Sequence, residues 1–365
     1  MIKKLLIKSF IFLSVFSGVL TADSYKFGVG SCLDQDFPQP IWNQIEEEDL
    51  NYFIFLGDNV YGDVPSGSLW KLPRAYKKQK KLFPDFLTEI EKFAIWDDHD
   101  YGKNDGGSEY RHKEKAQRLF LDFWQIPKDD VRQSREGIYF SKDANFFDKT
   151  FKLIFLDTRY FRSNLTTING DYVQNKNPDA TILGYDQWQW LEQELNKDFD
   201  FLIIFSSIQI LAEDHEYEKW SNFPLERDKL LNLINNYNDN TLLFSGDRHR
   251  AGIYKKNNLF EITASSMNKP GSSFVETDKY LIGETYPQEN FVFMEVFEKT
   301  IYVGIKDMYG NTLNSISVNH LKVSLISSIF LNFALFLSVI CIICYKHVIF
   351  FRILSYAMYK FVNLD

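Results

Sequence analysis

The feature of this sequence that most constrains its fold is a pattern that recurs six times. In each instance a short apolar run, rich in β-branched and aromatic residues, ends in a cluster of polar residues. The runs are Tyr25–Gly30, Tyr52–Leu56, Phe93–Trp96, Phe151–Leu156, Phe201–Phe205 and Thr241–Phe244. The pattern predicts buried strands that carry functional groups at their carboxyl ends.

Helical segments separate several of these runs. Asp186–Asn196 has apolar residues at helical spacing, with Asp186 as a candidate N-cap, and Ile41–Glu48 and Arg111–Phe123 are similar. Strands that alternate with helices predict an α/β sheet, in which ligands gather beyond the carboxyl ends of the strands. The β-rich segment Lys255–Lys306 is expected to complete a second sheet.

Both ends of the chain are apolar. Three lysines precede the apolar run Phe10–Leu20, which predicts a signal peptide over residues 1–22; a buried first strand or an uncleaved anchor is the alternative. Val323–Cys344 carries no charge, and as a helix it would be about 33 Å long, enough to cross a bilayer. It predicts a transmembrane helix over residues 323–345. Basic residues in the tail, 346–365, place that tail in the cytoplasm.

Residues 23–318 would then form one exported domain, on the extracytoplasmic or lumenal side of a single-pass membrane protein. The net charge of −8 argues against a generally basic surface, so we expect no nucleic acid partner. Of the three cysteines, Cys341 and Cys344 fall in the predicted span, which leaves Cys32 alone in the exported domain. An unpaired thiol in an oxidising compartment is a candidate metal ligand. An inert buried cysteine is the alternative.

Several polar clusters have the residue types of a phosphoesterase metal centre. Hydrolysis of a phosphate ester needs a nucleophilic hydroxide and cationic stabilisation of the phosphoryl oxygens, and two bound metals supply both. Asp58 follows Gly57 at a strand end, where the glycine would allow a tight turn and close approach to an ion; an ordinary turn aspartate is the alternative. Tyr61 is either a phenolate ligand, which favours ferric iron, or a packing residue.

Two further clusters follow strand ends. Asp97–Asp100 places three carboxylates beside His99, which is denser than solvated turns usually are. Asp247 and His249 alternate after another strand, so their side chains would point the same way.

Arginines beside these clusters are candidate phosphate contacts, because the planar guanidinium can bind two phosphate oxygens. Arg159 and Arg248 directly adjoin strand ends and are the preferred pair. For Arg162 and Arg250, phosphate contact and surface charge stay open as alternatives.

Together these residues resemble the alkaline phosphatase D, or PhoD-like, family of metallophosphoesterases over residues 26–300. The strings that carry the resemblance are Gly30-Ser31-Cys32, Leu56-Gly57-Asp58-Asn59-Val60-Tyr61, Trp96-Asp97-Asp98-His99-Asp100, Leu156-Asp157-Thr158-Arg159 and Ser245-Gly246-Asp247-Arg248-His249. The resemblance implies a four-layered α/β/β/α fold and a site of ferric iron with calcium, with other divalent metals as the alternative. The implied metal ligands are Cys32, Asp58, Tyr61, Asp98, Asp247 and His249, with Asp58 bridging. The resemblance implies that His99 is catalytic and assists the leaving group. The candidate phosphate contacts Arg159 and Arg248 complete the predicted catalytic residues.

The sequence departs from the broader metallophosphoesterase pattern at two points. The usual Asp-x-His opening is absent, and Cys32 stands in its place. Ser206, Ser207 and Gln209 occupy the strand end where a mid-chain histidine ligand is expected, and His215 is the nearest candidate to replace it.

The function expected from the sequence is therefore metal-dependent hydrolysis of phosphate esters outside the cytosol by a metal-bound hydroxide, of the alkaline phosphatase or phosphodiesterase type. A phospholipase-like phosphodiesterase acting on lipid headgroups is a close variant. A catalytically silent receptor ectodomain on the same scaffold is the alternative from a different class.

Overall fold

The computed structural model describes residues 24–274 and 276–320, apart from the side chains of residues 236, 238 and 239. The strands are β1 (Tyr25–Gly30), β2 (Tyr52–Leu56), β3 (Glu91–Ile95), β4 (Phe140–Phe146), β5 (Lys149–Phe155), β6 (Thr166–Ile168), β7 (Asp171–Val173), β8 (Phe201–Phe205), β9 (Thr241–Ser245), β10 (Ala251–Lys256), β11 (Leu259–Thr263), β12 (Leu281–Tyr286), β13 (Asn290–Val296), β14 (Thr300–Asp307) and β15 (Thr312–Asn319). The α-helices are α1 (Ile41–Glu47), α2 (Leu72–Gln79), α3 (Asp98–Tyr101), α4 (Lys113–Phe123), α5 (Gly184–Leu195) and α6 (Pro224–Ile234).

The strands form two large sheets and one small hairpin. The first sheet has the order β15-β14-β13-β1-β2-β3, and the second has the order β12-β10-β11-β9-β8-β5-β4. In the first sheet β1, β2 and β3 are parallel, and in the second β5, β8, β9 and β11 are parallel. Strands β6 and β7 pair only with each other. The protein is thus a mixed α/β sandwich.

Aromatic residues on the parallel strands explain how the layers pack. Phe53 on β2 contacts Trp42 of α1, with ring centroids 5.2 Å apart, so α1 covers one face of the first sheet. Phe93 on β3 lies 5.4 Å from Phe155 on β5, which joins the two sheets. Helices α5 and α6 pack with β8 and β9 in a second buried cluster. Because strands buried on both faces need apolar residues at nearly every position, the six runs recognised in the sequence are continuous rather than alternating.

The six predicted runs all form strands, with ends within two residues of those predicted. Two other predictions were wrong. Only the first part of Lys255–Lys306 joins the second sheet, because β13 pairs antiparallel with β1 and extends the first sheet instead. Helix α5 begins at Gly184, so Asp186 lies in its first turn and is not the N-cap. Just before that start, Glu226 of α6 accepts the backbone N–H of Ile182 at 2.7 Å, a contact between distant residues.

The predicted signal peptide, transmembrane helix and C-terminal tail lie outside the described residues. Within residues 24–274 and 276–320, no helix has the length and apolar character needed to cross a bilayer.

Candidate metal centre

The candidate metal ligands follow the carboxyl ends of parallel strands from both sheets. Cys32 follows β1, Asp58 follows β2, Asp98 follows β3, and Asp247 and His249 follow β9. Since parallel strands in one sheet end at the same edge, three of these loops meet on one side, and the β9 loop reaches them from the other sheet. The convergence predicted from the sequence is therefore present.

Two groups of ligand-type side chains form at this edge, and they share Asp58. In the first group, one ligand atom each from Cys32, Asp58 and His249 lies within 4.8 Å of the others. In the second, the same holds for Asp58, Asp98 and His99. Because a carboxylate offers two oxygens, Asp58 can bind one ion in each group at once. These residues would hold cations, which would activate a water molecule and stabilise charge on phosphoryl oxygens.

Tyr61 extends the first group. Its hydroxyl lies 3.0 Å from Nε2 of His249 and 3.3 Å from Oδ2 of Asp58, while the thiol of Cys32 donates to the same Oδ2 at 3.6 Å. Ser265 was not recognised from the sequence. Its hydroxyl donates to Sγ of Cys32 at 3.0 Å and accepts the backbone N–H of His249 at 2.8 Å, so it orients both candidate ligands.

The backbone at this site is held in an unusual conformation. Cys32, Asp58, Asp247 and His249 have φ values of 56°, 52°, 68° and 51°. Non-glycine residues in this left-handed region cost of order 1–3 kcal/mol, and they cluster at functional sites, where the surrounding structure compensates. The strand ends are therefore bent in a way that brings the side chains together.

The two histidines of the site differ in charge. Burial lowers the pKa of His249 to about 4, helped by the charges of His99 and Lys269. Burial would also lower the pKa of His99, but the carboxylates of Asp98, Asp58 and Asp63 outweigh it and raise the pKa to about 11. A metal ligand must be neutral imidazole. His249 therefore offers a neutral imidazole, whereas the carboxylates around His99 favour its protonated form.

The buried acidic groups also suit cations. Burial raises the pKa of Asp58 and of Asp247, and it raises the pKa of the Cys32 thiol to about 11. These groups bind metals in their deprotonated forms, and a cation between them would offset the cost of burying several negative charges. Asp247 lines the same cavity but belongs to neither group of three.

His99 is held by Asp63, which was not predicted as a site residue. Its Nδ1 lies 2.7 Å from Oδ1 of Asp63, and its backbone N–H donates to Oδ1 of Asp58 at 3.2 Å. The ring of Tyr61 lies 4.2 Å from the His99 ring. With Nδ1 engaged by Asp63, Nε2 is the ring nitrogen that remains for substrate.

The loop that carries Asp58 is fixed by Asp100. The Asp100 carboxylate accepts backbone N–H groups of Asp58 at 3.3 Å and Asp97 at 2.6 Å, and burial raises its pKa to about 8. Gly57 is also required here. A Cβ at Gly57, whose φ is 105°, would lie 2.5 Å from Cβ of Asp97, so the glycine allows two loops to approach each other.

A cavity of about 450 Å³ opens at the metal centre. Its lining residues are Asp58, Asp98, His99, Asn104, Asp105, Tyr172, Tyr217, Glu218, Asp247, Arg248, His249, Arg250, Gly271 and Ser272. Seven of these residues were candidates from the sequence, whereas Asn104, Asp105, Tyr172, Tyr217 and Glu218 were not predicted. Asp105 has a clear role, because its backbone N–H donates to Oδ2 of Asp98 at 2.7 Å and fixes that carboxylate.

Arg159 does not line the cavity, so the structure gives no geometric support for its direct contact with phosphate. The side chain is 0% exposed, and its guanidinium binds Asp97 at 2.5 Å and Glu218 at 2.5 Å. Arg162 is likewise 0% exposed and binds the other oxygen of Glu218 at 2.7 Å. The two arginines thus form a buried ion-pair network behind the site, in which Glu218 is the common partner.

Loss of Arg159 should destabilise the fold. Arg159→Met leaves Asp97 buried without its charge partner and leaves Glu218 paired with Arg162 alone, so we expect the free energy of unfolding to fall by about 3–5 kcal/mol in urea denaturation. The control Lys142→Met removes an exposed pair with Glu91, and it should cost less than about 1 kcal/mol. Unchanged stability with a raised KM for the Arg159 variant would instead support the original phosphate-contact role.

The remaining basic candidates differ in their surroundings. Arg248 lines the cavity, lies 4.3 Å above the ring of Tyr217 and pairs with Glu276. Arg250 also lines the cavity, but it donates to the carbonyl of Phe274 at 2.7 Å and supports that loop. Arg248 thus remains the better candidate for contact with substrate.

His215 does not supply the missing histidine ligand. Its Nε2 lies 2.8 Å from Oε1 of Gln209, and burial lowers its pKa. Its side chain neither lines the cavity nor joins a ligand group among the described residues.

The two-sheet sandwich, with ligand-type side chains at its strand ends, is of the metallophosphoesterase class. The sequence model of the PhoD-like phosphatase family matches residues 70–290, which is more than half of the chain, and the chain therefore belongs to this family. The resemblance recognised in the sequence is confirmed. A stretch of 135 residues is 26% identical to alkaline phosphatase D of Bacillus subtilis (strain 168), and it covers 33% of this chain and 23% of that protein.

Solved structures support the same fold. PhoD has a TM-score of 0.59 at 15% identity, with 81% of this chain and 72% of that chain covered. GAP50, described as the anchor in the inner membrane complex of Plasmodium, has a TM-score of 0.57 at 14% identity, with coverage of 82% and 90%. The purple acid phosphatase PPD1 from yellow lupin (Lupinus luteus) seeds has a TM-score of 0.53 at 12% identity, with coverage of 82% and 54%. At these identities the likeness shows the fold alone.

Proposed function

We propose that this protein is a metal-dependent phosphoric ester hydrolase that acts outside the cytosol. The observation that carries the proposal is the convergence of Cys32, Asp58, Asp98 and His249, in which Asp58 lies close to the candidate ligands on both sides. Membership of the PhoD-like phosphatase family supports it. We further propose the four-layered α/β/β/α arrangement, and an exported domain held by a single C-terminal membrane helix, as expected from the sequence.

Two kinds of metal are proposed from the donor atoms. Cys32, Tyr61 and His249 offer sulfur, phenolate and imidazole donors, which would hold ferric iron. Asp98, with Asp247, offers carboxylate oxygens, which suit calcium or another hard divalent ion. Asp58 would bind both ions. When bound, the metals would lower the pKa of a water molecule and stabilise charge on the phosphoryl oxygens.

The protein's own residues would orient the substrate and move a proton. Asp63 holds Nδ1 of His99 at 2.7 Å, which fixes the ring so that Nε2 can donate a proton to the leaving oxygen. Arg248 would donate to the phosphoryl oxygens, and its stacking on Tyr217 limits the orientations of its guanidinium. The backbone N–H of Asp105 holds the carboxylate of Asp98 in place, and the carboxylate of Asp100 holds the backbone of Asp58.

One observation favours the alternative of a catalytically silent receptor: the fold is similar to that of GAP50, which is described as an anchor. The persistence of the ligand-type side chains favours the hydrolase, because a scaffold without catalysis has no need of buried, converging acidic groups. The phospholipase-like variant rests on the predicted membrane anchor alone.

Assays of the purified full chain distinguish these functions. We expect bound metal, hydrolysis of p-nitrophenyl phosphate or of bis(p-nitrophenyl) phosphate, and loss of turnover after treatment with EDTA that metal addition reverses. Ligation of ferric iron by Cys32 and Tyr61 should also give a visible charge-transfer band. A protein that binds no metal and hydrolyses neither ester would support the receptor; an active, colourless zinc protein would contradict only the iron assignment.

A further inference from the structure

A concentrated basic segment surrounds helix α2. Six of the 41 lysine and arginine residues fall within positions 71–81, which contain no acidic residue, although the whole chain has a net charge of −8. These residues are Lys71, Arg74, Lys77, Lys78, Lys80 and Lys81. All but Lys71, which is half-buried, are exposed. We refer to these six residues, with Trp70 and Leu82 at their ends, as the α2 surface.

The apolar side of α2 is already occupied by the protein core. Leu72, Ala75, Tyr76 and Gln79 are buried, at the spacing of one helical face. The Tyr76 ring stacks on Phe123 of α4 with centroids 4.4 Å apart. The helix therefore cannot offer an apolar face to a groove in a partner protein, and only its basic side faces solvent.

The basic side chains of the α2 surface have few acidic partners. Among the described residues, Lys78 alone of the six forms an ion pair, a half-exposed contact with Asp36 at 2.8 Å. Arg74 instead donates to the backbone carbonyl of Trp70 at 2.9 Å and lies 5.2 Å from the Trp70 ring. The positive charge is thus largely unneutralised, which favours a partner with a high density of negative charge.

Large apolar side chains flank the basic residues. Trp70 is 58% exposed and Leu82 is 40% exposed, one at each end of the helix. Tryptophan and leucine beside a row of lysines are typical of segments that lie in the interface of a membrane, where the apolar groups enter the headgroup region. A nucleic acid would use the lysines but would leave Leu82 without an apolar environment.

We propose that the α2 surface binds the anionic headgroups of a lipid bilayer. Each lysine or arginine near such a surface contributes about a five-fold factor in affinity, and Trp70 and Leu82 add apolar contact. The surface would also fix the orientation of the catalytic cavity relative to the bilayer, because α2 continues the loop that carries Tyr61 and Asp63. Tyr76 of α2 further donates to the backbone carbonyl of Asp100 beside the site.

Lysine acetylation of the full chain in vesicles tests this proposal. The protein is reconstituted in phosphatidylcholine alone, or in an equal mixture of phosphatidylcholine and phosphatidylserine, and exposed to a membrane-impermeant acetylating reagent. We expect Lys77 and Lys81 to react at least about five-fold more slowly in the anionic vesicles, relative to the exposed Lys176 and Lys299. High salt should remove the difference, because the Debye length falls to about 3 Å at 1 M.

Charge reversals provide the control. In the variant Lys77→Glu/Lys81→Glu, we expect Lys78 and Lys80 to lose their protection from acetylation in anionic vesicles. The variant Lys176→Glu/Lys299→Glu changes the net charge by the same amount and should leave the lysines of the α2 surface protected. Melting temperatures near that of the wild type would show that both variants fold. Equal reactivity in the two kinds of vesicle would overturn the proposal. Equal protection by a soluble DNA duplex at the same charge concentration would also overturn it, and would assign the surface to polyanions in general.

Discussion

Asp58→Asn is expected to remove both metals and to lower turnover by about 10³-fold or more, since a catalytic metal contributes several kcal/mol to the transition state. The substitution keeps the size of the side chain and removes the charge that both ligand groups share. Metal content, measured by mass spectrometry of the purified protein, should fall together with kcat. Asp179→Asn, at an exposed position, is the matched control and should leave both unchanged.

Stability provides a second readout for Asp58→Asn. Burial raises the pKa of Asp58, so a charged carboxylate at this position opposes folding when no cation is present. We therefore expect metal addition to raise the melting temperature of the wild type but not that of the variant. A variant that keeps two metals and normal turnover would remove Asp58 from the bridging position.

His99→Ala is expected to keep most of its metal and to lose about 10²–10⁴-fold in kcat, the usual contribution of a general acid. The loss should be greatest for alkyl phosphate esters and smallest for p-nitrophenyl esters, because p-nitrophenolate leaves without a proton. Asp63→Asn keeps the imidazole but weakens the contact that orients it. We expect it to lower kcat less than His99→Ala does, with the same dependence on the leaving group.

The alternative role of His99 is that of a ligand, because its ring lies in one group with Asp58 and Asp98. In that case His99→Ala would lose metal, and its activity would fall equally for good and poor leaving groups. The metal content of this one variant distinguishes the two roles.

Much of the site could be predicted from the sequence because its residues follow apolar strands directly. Cys32, Asp58, Asp98 and His249 each lie within a few residues of a strand end. The parallel pairing of β1, β2 and β3 brings the first three together, and His249 reaches them from the end of β9 in the second sheet. Asp63 belongs to the same loop as Tyr61, but its role depends on where α3 places His99. No local pattern contains that information.

The other omissions have the same physical origin. Glu218 lies in a loop with no strand-end pattern, and it enters the site through pairs with Arg159 and Arg162, which are distant in sequence. Adjacency to a strand end indicated that Arg159 is near the site. It did not indicate whether the guanidinium faces the cavity or the interior, because that depends on which buried carboxylates lie behind it. The same limit applies to β13, because no local pattern indicates that it pairs with β1 and not with the second sheet.

Anomalous X-ray diffraction from crystals of the metal-loaded protein tests the shared-ligand site most directly. We expect two anomalous peaks about 3.5–4 Å apart, one on each side of the Asp58 carboxylate, with the iron-edge signal on the side of Cys32, Tyr61 and His249. A single peak, or two peaks that do not share Asp58, would contradict the proposed two-metal centre.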